Sequence, residues 1–226
     1  MPDETPPQPR APRPKDAATL VLVRRDGPRP RVLMGQRSKG HVFMPDKWVF
    51  PGGRVDRTDG LAPAAHELST EIEARLAEGN VRRKPRAFAL AAVRETFEET
   101  GLIVGKPGAA HGPAPAGWED YCKHHAAADL SKFDFICRAI TPPLRPRRFD
   151  ARFFFAFAED VLLDDRSHAD GDELLHIKWF TLEEAAHLDL PTVTRIVIGD
   201  VAKRLAGESV TPQFLRAGRG LRGAPD

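Results

Sequence analysis

Runs of alternating or continuous apolar residues predict β-strands in both halves of the chain. In the first half, Ala17–Arg24 and Arg31–Gln36 lie on either side of the turn signal Asp26-Gly27, which predicts a β-hairpin. A short β-like segment at Lys47–Phe50 runs into Pro51-Gly52-Gly53, a turn that needs a permissive backbone. The second half of the chain predicts three further strands, at Phe133–Ile140, Ala151–Ala158 and Leu174–Phe180.

The first predicted helix is Pro63–Glu78, which begins with a proline and ends before Gly79-Asn80. Further helices are predicted at Arg86–Thr100, Trp118–Leu130, Leu182–His187 and Thr192–Leu205. Apolar residues of the second helix follow helical spacing only loosely, so that helix is predicted from alanine content, length and the stop at Gly101. Strands and helices mix without a regular β-α-β alternation. This order favours an α/β fold, an α/β/α sandwich around a mixed sheet, over a doubly wound fold.

The chain of 226 residues is long enough for one sizeable core. Residues 1–16 are rich in proline and charge, which predicts a disordered N-terminal tail before a single domain at 17–205. Residues 206–226 are predicted to be a loosely ordered C-terminal tail.

Composition and charge exclude several classes of function. The 34 basic and 32 acidic residues nearly cancel, which argues against a nucleic-acid-binding protein. No apolar run of about 18 residues exists, so no membrane span is predicted. The two cysteines cannot build a disulfide framework or a four-thiolate zinc site.

The candidate chemistry lies at the end of the second helix. Glu95, Glu98 and Glu99 stand at i, i+3 and i+4, so their carboxylates share one helix face. Three close negative charges repel one another, and a hard divalent cation such as Mg²⁺ or Mn²⁺ relieves that repulsion. Arg94, four residues before Glu98, neutralises part of the cluster. These residues predict a metal-dependent catalytic site.

A solvated acidic helix face would show the same charges, and two neighbouring features weigh against it. Gly101 ends the helix immediately after the glutamates, as a tight loop-helix-loop requires. The turn at Gly52 and Gly53 closes a strand upstream, where permissive backbone is needed. We therefore expect these three glycines to have structural roles around the site.

Together these residues resemble the Nudix box: a glycine, five residues, a glutamate, seven residues, and then the pattern REUxEExGU, where U is aliphatic. Gly53 matches the opening glycine, and the run from Arg94 to Leu102 matches the second half at Arg94, Glu95, Glu98, Glu99, Gly101 and Leu102. The resemblance extends more loosely over residues 17–205. It implies a Nudix-type α/β/α sandwich that hydrolyses diphosphate linkages with one to three Mg²⁺ or Mn²⁺ ions on Glu95, Glu98 and Glu99.

Three positions depart from that pattern. The glutamate expected six residues after Gly53 is Asp59, and the aliphatic position after the arginine–glutamate pair is Thr96. Residues 60–93 number 34 where the usual box has seven. We expect residues 60–85 to form a helical insertion that leaves the three glutamates on one helix.

Two segments are similar to the coenzyme A diphosphatase branch of the family. Gln36-Arg37-Ser38 precedes Phe50-Pro51-Gly52-Gly53, and a split box with a long insertion occurs in that branch. The resemblance implies a substrate such as coenzyme A or an acyl-coenzyme A. The residues Gly223–Asp226 do not form a peroxisomal targeting signal, so we expect a cytoplasmic bacterial protein.

Substrate recognition would need cationic and aromatic groups near the site. The predicted substrate-binding residues are Arg37, Arg54, Arg148, Arg152 and Trp48, because arginine binds phosphate through a bidentate fork and tryptophan can stack on adenine. Trp48 is equally compatible with a place in the core. In this family a glutamate often acts as general base, and Glu173 is the candidate outside the box. A turn in which Glu173 is merely solvated remains an equal alternative.

Other functions share the same box. ADP-ribose or a nucleotide sugar would be an alternative substrate, because only the pocket decides between diphosphates. A nucleotide-sensing regulatory domain is the alternative outside enzymes, although such domains often lack the box glutamates that are present here. We expect a small nucleotide-derived molecule as the partner, and the oligomeric state, a homodimer included, stays open.

Overall fold

The structure is a computed structural model, and it describes residues 12–40, 44–78, 83–108, 113–143, 145–164 and 173–216. The strands are β1 (Lys15–Arg24), β2 (Arg31–Arg37), β3 (Trp48–Val49), β4 (Gly52–Arg54), β5 (Ala64–His66), β6 (Lys106–Pro107), β7 (Ala126–Asp129), β8 (Asp134–Ile140), β9 (Phe149–Phe157), β10 (Leu174–Thr181) and β11 (Gln213–Arg216). The helices are α1 (Thr70–Ala77), α2 (Pro85–Thr100), α3 (Glu119–Cys122), α4 (Ala158–Val161), α5 (Leu182–Ala186) and α6 (Thr192–Leu205).

A mixed sheet forms the centre of the molecule, in the order β10-β2-β1-β9-β8-β11. β1 is parallel to β9 along nine register pairs from Lys15↔Phe149 to Val23↔Phe157, and antiparallel to β2. The short strands β3 and β4 pair with β2 and β1. The predicted hairpin and the predicted mixed sheet are both confirmed.

Alternating side chains of β1 pack into two separate cores. Ala18, Leu20 and Leu22 belong to the core beside α2, whereas Val21 and Val23 belong to the core beside α6. Successive strand residues point to opposite faces, so a strand with both faces covered shows a nearly continuous apolar run. The sheet therefore lies between helices on both sides, which confirms the α/β/α sandwich.

α2 is a nearly buried helix, which explains why its apolar spacing is weak. Of its 16 residues, 11 are buried, including Phe88, Leu90 and Val93. Pro85 occupies the first turn, where a missing N–H costs nothing, and Gly101 ends the helix in the left-handed region at φ 73°. The predicted helix Arg86–Thr100 is confirmed, and it carries the glutamates on its last turns.

The insertion is less helical than the sequence predicts. Ala64–His66 is a strand that pairs in parallel with β7, and α1 begins only at Thr70, after Ser69 accepts a hydrogen bond from the Ile72 N–H. The predicted helix Pro63–Glu78 is therefore wrong in its first half. Alanine content favours a helix, but backbone pairing with a buried strand outweighs that propensity.

The predicted helix Trp118–Leu130 is wrong for the same reason. Only Glu119–Cys122 is helical; His125 then takes a positive φ of 52°, and Ala126–Asp129 forms a fully buried strand between β5 and β6. A run of alanines is favourable in a helix and is also small enough for a tightly packed buried strand. The sequence pattern alone therefore does not distinguish a helix from a strand here.

Part of each predicted tail belongs to a strand of the sheet. β1 begins at Lys15, so the last residues of the predicted tail 1–16 pair with β9. Gln213–Arg216 in the predicted tail 206–226 forms a strand parallel to β8. Residues 1–11 and 217–226 lie outside the described residues. None of the described helices is long and apolar enough to cross a membrane.

Candidate active site

The three glutamates of α2 face the Gly52-Gly53 turn, which follows β3 and forms the start of β4. Glu99 is the most buried, and its Oε2 accepts a hydrogen bond of 2.8 Å from the Gly52 N–H. The side chains of Glu95 and Glu98 are 16% and 45% exposed, so exposure increases away from Glu99. The cluster thus runs from the sheet outward to solvent along one helix face.

Neighbouring atoms lie very close to both glycines of the turn, Gly52 and Gly53. A Cβ on Gly52 would lie 2.5 Å from the Ala18 carbonyl oxygen, which is backbone of β1. A Cβ on Gly53 would lie 2.4 Å from the Glu95 carboxylate. At Gly52 the close neighbour is backbone, so only glycine fits there. At Gly53 the close neighbour is the end of the flexible Glu95 side chain, which a Cβ would displace.

Asp59 holds Arg94 in place from the inserted side of the box. Its fully buried carboxylate accepts hydrogen bonds from Arg94 Nε at 2.8 Å and Arg94 Nη2 at 3.2 Å. The same carboxylate accepts from Trp118 Nε1 at 3.0 Å and from the Asp56 N–H at 2.7 Å. Four donors on one carboxylate define a positioning role for Asp59.

Arg94 connects that carboxylate to the catalytic face. Its Nη1 lies 3.0 Å from Glu95 Oε1 and 2.8 Å from Glu98 Oε2, and its Nη2 donates to the Arg54 carbonyl at 2.9 Å. Burial alone would lower the pKa of the Arg94 guanidinium, but the Asp59 hydrogen bond and the surrounding carboxylates raise it overall. Arg94 therefore stays charged and orients two of the three glutamates.

The insertion is fastened to the same region by Arg86. This arginine of α2 donates to the carbonyls of Gly60 and Ala62, at the short 3₁₀ turn Asp59–Leu61, and pairs with Glu67 at 3.0 Å. The turn that carries Asp59 is thereby held against α2. The long insertion consequently leaves α2, the helix that carries the three glutamates, intact.

Burial and mutual repulsion raise the pKa values of the glutamates. Burial raises the pKa of Glu95 to about 7, with the charge of Glu98 adding to the increase and Arg94 opposing it. Burial together with the charge of Glu95 raises the pKa of Glu99 to about 8, against the Gly52 hydrogen bond and the charge of Arg37. The cluster resists carrying its full negative charge unless a cation joins it.

The oxygen-only donor set of Glu95, Glu98 and Glu99 fits a hard divalent ion. In the arrangement described, Glu95 and Glu98 point at Arg94 Nη1 and Glu99 at the Gly52 N–H. Among the described residues, no three acidic, histidine or cysteine side chains converge closely enough to form a ready-made cage. The repulsion within the cluster supports the fit, and the Gly52 turn keeps Glu99 at the site.

A cavity of about 1170 Å³ opens in front of the glutamates. Of the predicted site residues outside α2, Arg37, Arg54, Arg148 and Glu173 line it. Burial lowers the pKa of Arg37, and the nearby charges of Glu99, Glu173 and Glu95 oppose that shift. The structure therefore brings these side chains to the same cavity.

Two predicted substrate-binding residues do not line this cavity. Trp48 packs edge-on against Phe180, with ring centres 5.1 Å apart, in the core beside α6. Arg152 is buried 2.9 Å from Asp150, with its guanidinium 4.1 Å from the ring centre of Phe88. Arg152 is buried because strand alternation turns it toward α2, whereas Trp48 is half-buried against the core beside α6.

Several cavity residues were missed by the sequence prediction. The cationic residues Arg13, Lys15, Arg145 and Arg147 line the cavity. Outside the cavity, Trp118 donates a hydrogen bond to the Asp59 carboxylate. The arginine-rich turn between two predicted strands was the available signal for Arg145 and Arg147. No local pattern marks Lys15, because its place depends on the pairing of β1 with β9.

We predict that replacing Gly53 with alanine preserves the fold and lowers kcat/KM by about ten-fold or more. The added Cβ would displace the Glu95 carboxylate, the far end of a flexible side chain, and small misplacements of catalytic groups are costly. Steady-state kinetics and thermal unfolding together test this.

The matched control is Gly199→Ala, an exposed glycine inside α6 with no heavy atom within 4 Å of the added Cβ. That substitution should raise stability by about 1 kcal/mol and leave turnover as it was. Equal activity of the two variants would show that Glu95 does not need its present position.

Comparisons with known proteins agree with this geometry. The sequence model of the NUDIX domain matches residues 13–198. The crystal structure of a NUDIX hydrolase from Alicyclobacillus acidocaldarius superimposes with a TM-score of 0.60 at 26% identity, covering 88% of this chain and 97% of that one.

Two curated relatives carry the name acyl-coenzyme A diphosphatase NUDT19. The protein of Gallus gallus is 32% identical over 137 residues, which cover 45% of this chain and 36% of that protein. The protein of Homo sapiens is 27% identical over 206 residues, which cover 69% of this chain and 54% of that protein. The match thus spans about half or less of each of these relatives.

Proposed function

This chain belongs to the NUDIX family, and we propose that it is a metal-dependent hydrolase that cleaves the diphosphate linkage of coenzyme A or an acyl-coenzyme A. The observation that carries the proposal is the carboxylate row of Glu95, Glu98 and Glu99, which lines a large cavity beside the Gly52-Gly53 turn. The names of the two acyl-coenzyme A diphosphatase relatives support the substrate class.

Different residues around the carboxylate row would bind the metal ion, orient the glutamates and bind the diphosphate. Glu95, Glu98 and Glu99 would hold Mg²⁺ or Mn²⁺, and Arg94 with Asp59 orients Glu95 and Glu98. Arg37 and Arg54 line the cavity beside the glutamates, where a guanidinium can donate to diphosphate oxygens. The diphosphate is thereby placed between cationic groups and the carboxylate row.

The bound ion would offset charge on the diphosphate oxygens and lower the pKa of a water molecule. A water molecule would attack one phosphorus in line, and the other phosphate would leave with the electrons of the broken P–O bond. Glu173 lines the same cavity and is the proposed general base that accepts the proton of the attacking water. No covalent enzyme intermediate is required.

A panel of diphosphates tests the substrate assignment. Coenzyme A, an acyl-coenzyme A, ADP-ribose and a nucleotide sugar are each incubated with enzyme and Mg²⁺ or Mn²⁺, and products are weighed by mass spectrometry. We expect the highest kcat/KM on a coenzyme A compound. If ADP-ribose or the sugar nucleotide exceeded coenzyme A ten-fold, the substrate assignment would be wrong and the hydrolase assignment would stand.

We also predict that Mn²⁺ affinity rises with pH. Because the pKa of Glu99 is raised to about 8 and that of Glu95 to about 7, both are largely protonated at lower pH, and an ion must displace those protons. Affinity should increase about ten-fold or more between about pH 6 and about pH 8.5. Electron paramagnetic resonance of free Mn²⁺ measures it.

The Glu99→Gln variant is the control for that titration, because the amide has no proton to displace. Its Mn²⁺ affinity should be weaker at every pH and should change less with pH. A wild-type affinity that does not vary over this range would contradict ligation by these raised-pKa carboxylates.

A further inference from the structure

The cavity separates its charges into two ends. The acidic end lies beside the Gly52-Gly53 turn, where the five carboxylates of Glu95, Glu98, Glu99, Asp56 and Glu173 outnumber the arginines Arg37 and Arg54. The other end is basic and is formed by the start of β1 and the loop between β8 and β9, with the residues Arg13, Lys15, Arg145, Arg147 and Arg148. An acidic end suits metal ions, whereas a basic end suits a second anion.

The carboxylates nearest to the basic end already have other partners. Asp16 lies 3.3 Å from Arg83 and 3.6 Å from Arg152, and Asp150 pairs with Arg138 at 2.6 Å. Within the described ranges, no carboxylate pairs with Lys15, Arg145 or Arg147. Among the residues that the structure describes, the positive charge of these three side chains is therefore uncompensated.

Hydrogen bonds fix the backbone at the base of the loop that carries Arg145 and Arg147. The Thr141 N–H donates to the Phe149 carbonyl at 2.9 Å, and the Lys15 N–H donates to the Arg148 carbonyl at 2.9 Å. Arg148 itself donates to the carbonyls of Thr141 at 3.0 Å and Pro12 at 2.7 Å. The base of the loop is thus attached to the sheet, with Arg148 holding it to the N-terminal segment.

The distance between the two ends suits one nucleoside. Lys15 is three residues before Ala18, which pairs with Gly53, and strand rise puts them roughly 10 Å apart. The floor between them is apolar and built largely of small side chains, those of Ala17, Ala139, Ala151 and Phe153. A ribose can lie on such a floor with its 5′-diphosphate toward the acidic end and its 3′-phosphate toward the basic end, and its base can pack on the apolar side chains.

We propose that Lys15, Arg145 and Arg147 bind a phosphomonoester on the ribose of the substrate, the 3′-phosphate of coenzyme A, while the carboxylate row acts on the 5′-diphosphate. This inference rests on the proposed function, since it assigns one part of the same substrate. It makes the enzyme selective for a nucleoside bisphosphate over a nucleoside that carries only the diphosphate.

Coenzyme A and dephospho-coenzyme A test the inference, because they differ only in the 3′-phosphate. Wild-type enzyme should prefer coenzyme A in kcat/KM by at least about ten-fold, as expected for charge-assisted hydrogen bonds. In the double variant Arg145→Gln/Arg147→Gln, that preference should fall at least about ten-fold, mainly through KM for coenzyme A. Both arginines are exposed, so the fold should persist.

The double variant Arg29→Gln/Lys132→Gln is the matched control, since it removes two positive charges from exposed positions outside the cavity. Its preference for coenzyme A should equal that of the wild type. Calorimetric binding of adenosine 3′,5′-bisphosphate and AMP without metal gives a second readout that does not depend on turnover. The bisphosphate should bind more tightly to wild type, and this advantage should disappear in Arg145→Gln/Arg147→Gln.

The possible failures are distinguishable. If wild type hydrolysed both substrates without preference, or if Arg145→Gln/Arg147→Gln lost activity equally on both, the second anion site would be refuted while the hydrolase assignment stood. If neither compound were hydrolysed, the proposed function would fail, and equal binding of bisphosphate and AMP would then refute the site as well.

Discussion

Replacing Glu99 with glutamine is expected to lower kcat about a thousand-fold, roughly 4 kcal/mol of transition-state stabilisation. The glutamine keeps the size of the side chain, and its oxygen can still accept the Gly52 hydrogen bond of 2.8 Å. It loses the negative charge with which Glu99 would bind a divalent ion. The fold should therefore survive while turnover does not, and Glu98→Gln should behave in the same way.

The control is Glu71→Gln on α1, where the glutamate is 72% exposed and pairs along its own helix with Arg75. Steady-state kinetics on the best substrate and circular dichroism are measured for all variants. If Glu98→Gln and Glu99→Gln both kept nearly full turnover, the metal assignment would be wrong.

Replacing Asp59 with asparagine is expected to lower the free energy of unfolding by about 3 kcal/mol or more, because it leaves the buried Arg94 guanidinium without its fully buried counter-ion. The carboxylate accepts from four donors, those of Arg94, Trp118 and the Asp56 backbone. An amide has one acceptor oxygen, so its NH₂ group must face at least one of these donors. Urea unfolding gives the change in free energy.

Asp56→Asn is the matched control, because it makes the same chemical change three residues away on a carboxylate that is 47% exposed and pairs with Arg54. Its effect on stability should stay within about 1 kcal/mol, as for exposed ion pairs. A comparable loss in both variants, or a loss below about 1 kcal/mol for Asp59→Asn, would contradict the positioning role of Asp59.

The carboxylate row could be predicted from sequence because its signals are local. Helical spacing alone places Glu95, Glu98 and Glu99 on one face, and the glycines of the turn mark a tight approach before any partner is known. The aspartate at position 59 was visible only as a departure from the family pattern. Its function depends on Trp118, 59 residues away, which no local pattern connects to it.

The sequence predictions fail where tertiary contacts outweigh the local secondary-structure propensity of the chain. Alanine-rich segments at Ala64–His66 and Ala126–Asp129 favour helices in isolation, but they pair with each other as strands, of which Ala126–Asp129 is buried. Arg148 and Arg152 are both arginines of one short segment, and the sequence does not distinguish their roles. Arg152 is buried beside Asp150, whereas Arg148 lines the cavity. Their difference follows from strand alternation, and the register was not known from the sequence.

The most direct test of the central claim is the turnover of coenzyme A by the wild-type chain with Mg²⁺ or Mn²⁺, and again with excess chelator, with product masses determined. Cleavage of the diphosphate should give 3′,5′-ADP and 4′-phosphopantetheine in the presence of metal and neither product with chelator. Coenzyme A that stays intact with both ions, or that is cleaved equally in chelator, would contradict a metal-dependent coenzyme A diphosphatase.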